Sequence, residues 1–448
     1  MRHIVLIALA GSISVTGPAQ AQPPSATATT ETAVAIDATT RSRLPLPLRD
    51  DLSGEARALY DRLREAGETG GAIAAALHSP AVAVVLDRMR SYLRNESLPG
   101  ARVYALASLV TAREMSLAFT WSEHESMALQ AGVAPSVIDV VRNNAPLEML
   151  NSDDALVVGF GRQLLRNRYV ESQHFAALLD RFGRQGAFDI MMTLTWHQLT
   201  GMLLRAVDQQ PPPGWIDARM PAMPGLGTPA GEIGRFVDVG PRPPIPQDVY
   251  EGGWYRLPLL RRDELDARGR EIFDRLVGAD VEVAPRGPVG MTFNSPELAE
   301  PVQDLNTLLR VEGALSRRTA EIVITATGRE MNSQYQWVVH GAAAADAGAG
   351  DAVLEAIRDD GSLAELDAAD ALAIAMSREL FRERTLRPET FAAAVETFGT
   401  RGMIEIVTLV GDYLMMTNVY NALGMRLRPD QNATLPHRVG APVGAEWR

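Results

Sequence analysis

A single offset organises this chain. Pro80 and Pro296, Glu114 and Glu330, Trp121 and Trp337, His124 and His340, and Phe182-Gly183 and Phe398-Gly399 all lie 216 positions apart. Asp154-Ala155-Leu156 and Asp370-Ala371-Leu372, Arg166 and Arg382, and Phe175 and Phe391 keep the same spacing. Chance does not hold one offset across so many landmarks, so the chain carries two copies of one structural unit. The openings of the copies, "RLPLPLRDDL" from Arg43 and "RLPLLRRDEL" from Arg256, differ by 213 instead, with Asp61-Arg62-Leu63 answering Asp274-Arg275-Leu276. About three extra residues therefore fall in the loop before "FNSPEL".

Within each copy the apolar residues recur at helical spacing. Ile322, Val323 and Ala326 share a face in "RRTAEIVITATGRE", as do Leu372, Ala375 and Leu380 in "DAADALAIAMSRELFRE". Alternating strand patterns are scarce. The expected fold class is all-α, two tandem helical bundles over residues 43–208 and 256–428, with helices ending at Gly or Pro signals. Between them, residues 209–255 form a Pro/Gly-rich linker too long for a simple connector, expected to wrap a surface or fold over a cleft. Residues 429–448 form a C-terminal tail.

The amino terminus reads as a secretory signal over residues 1–21, with Arg2 and His3 before a short apolar run and a small-x-small site ending at Ala21. A flexible lead-in of Ala, Thr and small polar residues, 22–42, follows it. Export to a bacterial periplasm is the expectation, with no later segment long and apolar enough to span a bilayer.

Composition narrows the chemistry. Cysteine is absent, which excludes thiol nucleophiles, disulfides and thiolate metal sites. Lysine is absent too, so all 43 basic residues are Arg and no lysine Schiff base can form. A net charge of −12 disfavours nucleic acid and anionic membrane surfaces as partners. A small molecule is the expected partner.

The copies share one suggestive stretch, "EMSLAFTWSEHESMA" at Glu114 and "EMNSQYQWVVHGAAA" at Glu330, in which a Glu leads by ten residues a His that sits three after a Trp. In the second copy, Ser333, Gln336, Trp337 and His340 fall on one helical face, with Asn332 or Ser333 as the cap. Glu321, nineteen residues before His340, sits on the preceding helix, where an antiparallel return brings a carboxylate to the imidazole. Such a pair suits proton transfer, because the carboxylate raises the basicity of a group that titrates near neutrality. Arg317 and Arg318 are candidates to hold an anionic substrate.

This arrangement resembles the carboxymuconolactone decarboxylase and alkylhydroperoxidase D-like superfamily, all-helical proteins with a Glu on one helix and, in the redox branch, Cys-x-x-Cys-x-x-x-His on the next. The resemblance puts Glu321 and His340 at the Glu and His positions, with Ser333 and Gln336 where the redox branch has cysteines. Without sulfur, thiol peroxidase activity has no nucleophile. What the resemblance implies is the decarboxylase branch: a cofactor-independent, metal-free lyase or isomerase using acid–base chemistry on a small carboxylated or lactone metabolite. Together with the spacing, this makes His340, Glu321 and Glu330 the candidate catalytic residues, and Arg318, Ser333, Gln336 and Trp337 the candidate substrate contacts. The resemblance further implies a homo-oligomer, with a trimer among the expected forms and a pseudo-two-fold dimer inside each chain. The alternative is a helical scaffold or small-molecule-binding protein that kept the fold and lost the chemistry.

Several positions carry two readings. In the first copy Ala105 answers Glu321, and Leu117 and Thr120 answer Ser333 and Gln336. That copy is either degenerate or a second site using His124 and Glu114. Glu114 and Glu330 are either catalytic or helix-end carboxylates tied to Arg113 and Arg329. Trp121 and Trp337 are read as core before substrate platform. His197, matched by Tyr413, falls outside the shared pattern.

Overall fold

The computed structural model describes residues 35–215, 220–221, 233–238, 240 and 243–447. The signal read at residues 1–21 and the lead-in to residue 34 lie outside the described residues. Val34–Arg448 forms one compact unit. Sixteen α-helices lie among the described residues, eight in each repeat, beside one two-stranded ribbon, so the fold is all-α.

The first repeat comprises α1 (Gly54–Ala66), α2 (Ala72–Ala76), α3 (Pro80–Asn95), α4 (Gly100–Met115), α5 (Ala118–Gln130), α6 (Pro135–Arg142), α7 (Ser152–Asn167) and α8 (Ser172–Ala206). The second restates it as α9 (Ala267–Leu276), α10 (Gly287–Thr292), α11 (Pro296–Thr307), α12 (Arg317–Glu330), α13 (Gln334–Asp346), α14 (Asp351–Arg358), α15 (Ala368–Arg382) and α16 (Pro388–Ala422).

The helix starts follow from local chemistry. Pro80 and Pro296 open α3 and α11, where a missing N–H costs nothing. Ser316 caps α12 by accepting from the Thr319 amide at 3.0 Å, and Ser333 caps α13 through the Gln336 amide at 3.3 Å. Of the two candidate caps Ser333 is therefore the one used; Asn332 instead turns the chain between the helices at a φ of 55°, as Ser116 does at 56° in the first repeat. α8 and α16 are each interrupted by a sharp kink with non-helical backbone, at Gly183 (φ 68°, ψ 175°) and Gly399 (φ 69°, ψ 166°).

The long helices α8 and α16 are buried along most of their C-terminal halves and pack on each other at the centre of the molecule. At their crossing, a Cβ on Gly411 would stand 2.9 Å from the Leu199 carbonyl oxygen, so a glycine sets the close approach. One continuous apolar core runs through both repeats, with a small satellite under α9 built on Ile272, Phe273 and Phe293. The contacts between repeats are reciprocal. Ser79 of the first repeat donates to Glu405 of the second at 2.8 Å, and Ser295, the counterpart of Ser79, donates to Asp189, the counterpart of Glu405, at 2.6 Å. Arg88 and Asp304, themselves 216 apart, pair at 2.8 Å. This reciprocity is the signature of a two-fold relation between the copies.

Chain outside the bundles is also tied down. Residues 37–42, expected in the flexible lead-in, are held: Thr40 and Ser42 are buried, and Gln209 Nε2 donates to the Thr40 carbonyl at 2.8 Å. The linker strand β1 (Phe236–Val237) pairs antiparallel with β2 (His437–Arg438) of the tail. Among the described residues no helix is long and apolar enough to cross a membrane.

Candidate functional site

The α12–α13 hairpin delivers the pair expected from spacing. Nδ1 of His340 lies 2.8 Å from Oε2 of Glu321, and both side chains are buried. Arg310 closes on the other carboxylate oxygen, Oε1, through Nε at 3.2 Å and through Nη2. It sits on a π-helical turn, Leu308–Glu312, that continues α11, whereas the matching stretch of the first repeat is ordinary α3 helix. Such turns recur at functional sites because they re-aim a side chain. From the same element, Arg310 Nη1 reaches Asn306 Oδ1 at 3.4 Å, and Asn306 Nδ2 donates to the Tyr413 hydroxyl at 3.3 Å. The Tyr413 ring meets the His340 ring edge-on, centroids 4.9 Å apart.

His340, Arg310, Asn306 and Tyr413 line a cavity of about 300 Å³ between α10, α11, α13 and α16, walled also by Val289, Val302, Tyr335, Met416 and Tyr420, and Glu321 acts on it through His340 and Arg310. Burial raises the Glu321 carboxyl, but the His340 and Arg310 hydrogen bonds and charges outweigh it, and its pKa falls below the ordinary range. Burial also dominates at His340 and lowers it, against the opposing pull of Glu321. The resting site is therefore a Glu321 carboxylate, an Arg310 cation and a neutral imidazole whose Nδ1–H points at the carboxylate. That tautomer leaves the Nε2 lone pair as the basic nitrogen. Asp412 shares the cavity: it is fully buried, its Oδ1 has no hydrogen-bond partner among the described residues, and burial pushes its carboxyl up to about 7. Burial likewise raises Tyr413, which stays a neutral donor. The arrangement offers a base, a weak acid and a cation around one small volume.

Glu330 lies elsewhere. Arg382 and Arg438 grip both of its oxygens, Arg438 at 3.2 Å to each, and the same two arginines hold Asp360. Glu114 is held the same way by Arg166, at 2.5 and 2.7 Å. Both are structural ion pairs, and their partners are Arg166 and Arg382 on α7 and α15 instead of the neighbouring Arg113 and Arg329. None of the four expected substrate contacts lines the cavity. Arg318 pairs with Asp370 at 2.6 Å. Ser333 meets Glu446 of the tail at 3.1 Å, Gln336 Nε2 donates to Thr417 at 3.1 Å, and Trp337 Nε1 donates to Thr434 at 3.0 Å. Trp121 is core, fully buried with its Nε1 on Glu125 at 2.7 Å.

In the first repeat, His124 donates from Nδ1 to the Thr120 carbonyl at 2.9 Å, and its ring lies edge-on to His197 at 4.6 Å. Both line a second cavity, of about 620 Å³, at the position equivalent to the first. Among the described residues no group of three or more His, Asp or Glu is placed to hold a metal ion.

No signal in the sequence marked Arg310, Asn306, Asp412 or Tyr413. They come from α11, the π-helical turn after it and α16, outside the motif, and only the packing of these elements against α13 brings them to His340. No family model matches this chain, and no curated protein matches it.

Proposed function

We propose that the second repeat is a cofactor-independent acid–base catalyst of the lyase or isomerase class, acting on a small carboxylated or lactone metabolite. One observation carries this reading: a buried Glu321–His340 pair, 2.8 Å apart, whose imidazole borders a cavity of about 300 Å³. In the proposed chemistry, Nε2 of His340 takes the substrate proton and Glu321 stabilises the imidazolium that results. Asp412, with its carboxyl near 7, is protonated often enough at neutral pH to return a proton. Arg310 and Tyr413 supply positive charge and a hydroxyl for the oxyanion that develops.

The proposal extends to kinship with the carboxymuconolactone decarboxylase and alkylhydroperoxidase D-like proteins, supported by the Glu on α12 facing the His on α13. It extends also to export, on the pattern of residues 1–21, and to assembly into a homo-oligomer of these intrachain pseudo-dimers.

Incubating the purified chain with a panel of lactones and muconate-like acids, followed by ultraviolet absorbance and by carbon dioxide release, tests the reaction class. Turnover by the native chain and its loss in His340→Ala are the expected results. Turnover that survives His340→Ala removes the site from the reaction. Saturable binding of panel members without any turnover favours a small-molecule-binding role.

A further inference from the structure

The two cavities occupy equivalent places, yet their charges have been rearranged. Arg310 of the second repeat answers to Arg94 of the first, 216 residues earlier, and each lines its own cavity. The two carboxylates that act on Arg310 have no counterpart: Ala105 stands for Glu321 and Trp196 for Asp412. The cation is thus kept where its internal anion has been deleted. Arg94 makes no hydrogen bond or ion pair with any of the described residues, whereas Arg310 is clamped on Glu321.

The other charges lining this cavity do not take the vacated role. Glu68 pairs with Arg90 at 2.9 Å, and Arg90 also holds Asp87 at 2.7 Å. Glu123, at the place of Val339, is part-exposed and lies 3.7 Å from His124 Nδ1. Arg41 donates to the Pro211 carbonyl at 2.9 Å.

Four aromatic side chains, Tyr104, Phe119, Trp196 and Trp215, stand among the small and polar residues of the remaining wall. Tyr104 stands 5.9 Å from His124 and 5.8 Å from His197, Trp196 lies beside them on α8, and Trp215 from the linker packs on Phe119 at 5.1 Å. Ser108 donates its hydroxyl to the Tyr104 carbonyl at 2.7 Å, so it accepts from His197 Nε2 at 2.7 Å. Each imidazole therefore commits one nitrogen to the protein. The other, Nε2 of His124 and Nδ1 of His197, has no hydrogen-bond partner among the described residues and is an acceptor. Burial and the neighbouring His124 hold His197 well below its ordinary range, which keeps it an acceptor.

We propose that this first-repeat cavity is a separate binding site for a small aromatic carboxylate bearing a hydroxyl group. The ligand carboxylate pairs with Arg94 in place of the missing glutamate, the ring packs among Tyr104, Trp196 and Phe119, and the hydroxyl donates to an imidazole nitrogen. With about twice the volume of the second cavity, it accepts a substituted ring without displacing the core.

Isothermal titration calorimetry of the purified chain with 4-hydroxybenzoate, and with 4-hydroxybenzamide as its uncharged analogue, tests the site. Saturable binding of the acid, with the amide weaker by roughly 10-fold or more, is expected from the loss of one charge-assisted bond. Arg94→Gln should weaken the acid by a similar factor. Ala105→Glu should do the same by restoring an internal carboxylate, with thermal melts showing whether that buried substitution folds. Arg310→Gln should leave the affinity unchanged. The proposal is overturned by no saturable heat, by equal binding of acid and amide, by native affinity in Arg94→Gln, or by loss on Arg310→Gln alone, which would place the ligand in the second repeat.

Discussion

The Ser295 hydroxyl, at the start of α11 in the second repeat, donates to Oδ1 of Asp189, on α8 of the first, at 2.6 Å. Its symmetric counterpart joins Ser79 to Glu405 at 2.8 Å, but the two acceptors differ in their support. Glu405 also receives Arg401 at 2.7 Å and the Ala314 amide at 2.6 Å. Asp189 receives only neutral donors, the Tyr92 hydroxyl at 3.2 Å and the Leu98 amide at 3.1 Å, and burial pushes its carboxyl up to about 6. Ser295→Ala is therefore expected to cost about 1–3 kcal/mol by leaving a buried carboxylate short of a donor, and Ser79→Ala less. Denaturant unfolding of both variants at neutral pH measures the difference. Equal losses would mean that the asymmetry in partners does not reach stability.

Backbone strain offers a cleaner test of the repeat. Gly183 and Gly399 share a conformation, φ near 69° with extended ψ, that is essentially confined to glycine, and nothing lies within 4 Å of where either Cβ would stand. Substitution to Ala therefore meets strain without a clash. Each of Gly183→Ala and Gly399→Ala should destabilise the chain by about 1–3 kcal/mol, and because neither Cβ would touch a neighbour through which the two could couple, the double variant should lose roughly the sum. A neutral effect would show that the helices straighten through the kink at no cost.

At the second-repeat site, His340→Ala is expected to lower turnover by about 10²–10⁴-fold, the range of a general acid–base contribution. Glu321→Gln should follow it, since an amide keeps the volume but cannot stabilise the imidazolium. His124→Ala should cost much less in that reaction, because Ala105 leaves His124 without a carboxylate in the place of Glu321. Melting curves must accompany the rates, as both histidines are buried. Equal losses from His124→Ala and His340→Ala in stably folded variants would establish two equivalent sites.

What the sequence made legible follows from what sequence spacing encodes. The 216-residue offset fixed the duplication, and the nineteen residues from Glu321 to His340 placed them on adjacent helices of one hairpin, a local relation. The face shared by Ser333, Gln336, Trp337 and His340 was also local, but a shared face does not say what covers it. Thr417, Thr434 and Glu446, from α16 and the tail, take the polar groups of the first three. The missing members of the site are non-local for the same reason: Arg310 depends on a π-helical turn, and Asp412 and Tyr413 on where α16 crosses α13. For Glu114 and Glu330 repetition leaves both readings open, since a duplicated ion pair repeats as faithfully as a duplicated site, and the sequence does not show that the arginines holding them are Arg166 and Arg382.

Asp412 gives a pH signature that distinguishes its protonation from mere burial. In the fold its carboxyl is raised from an ordinary 3.8 to about 7, first by burial, with Arg310 opposing. A group whose folded pKa is raised contributes stability that is fully present below the unfolded value and is lost as pH rises through the folded one. The native chain should therefore lose up to ~1.4 kcal/mol per pH unit from this residue between about pH 4 and about pH 7, and nothing further above that. Asp412→Asn stays neutral throughout and removes this term. His340 and Glu321, both lowered in the fold, act in the opposite sense, giving stability that fades as pH falls; they are present in both chains and largely cancel in the comparison. Denaturant unfolding of native and Asp412→Asn chains at several pH values should show a stability difference that grows in favour of the variant up to about pH 7 and then levels off. A difference independent of pH would mean that Asp412 is already ionised in the fold at low pH, which would remove it as the acid of the proposed site and leave His340 to return the proton it takes.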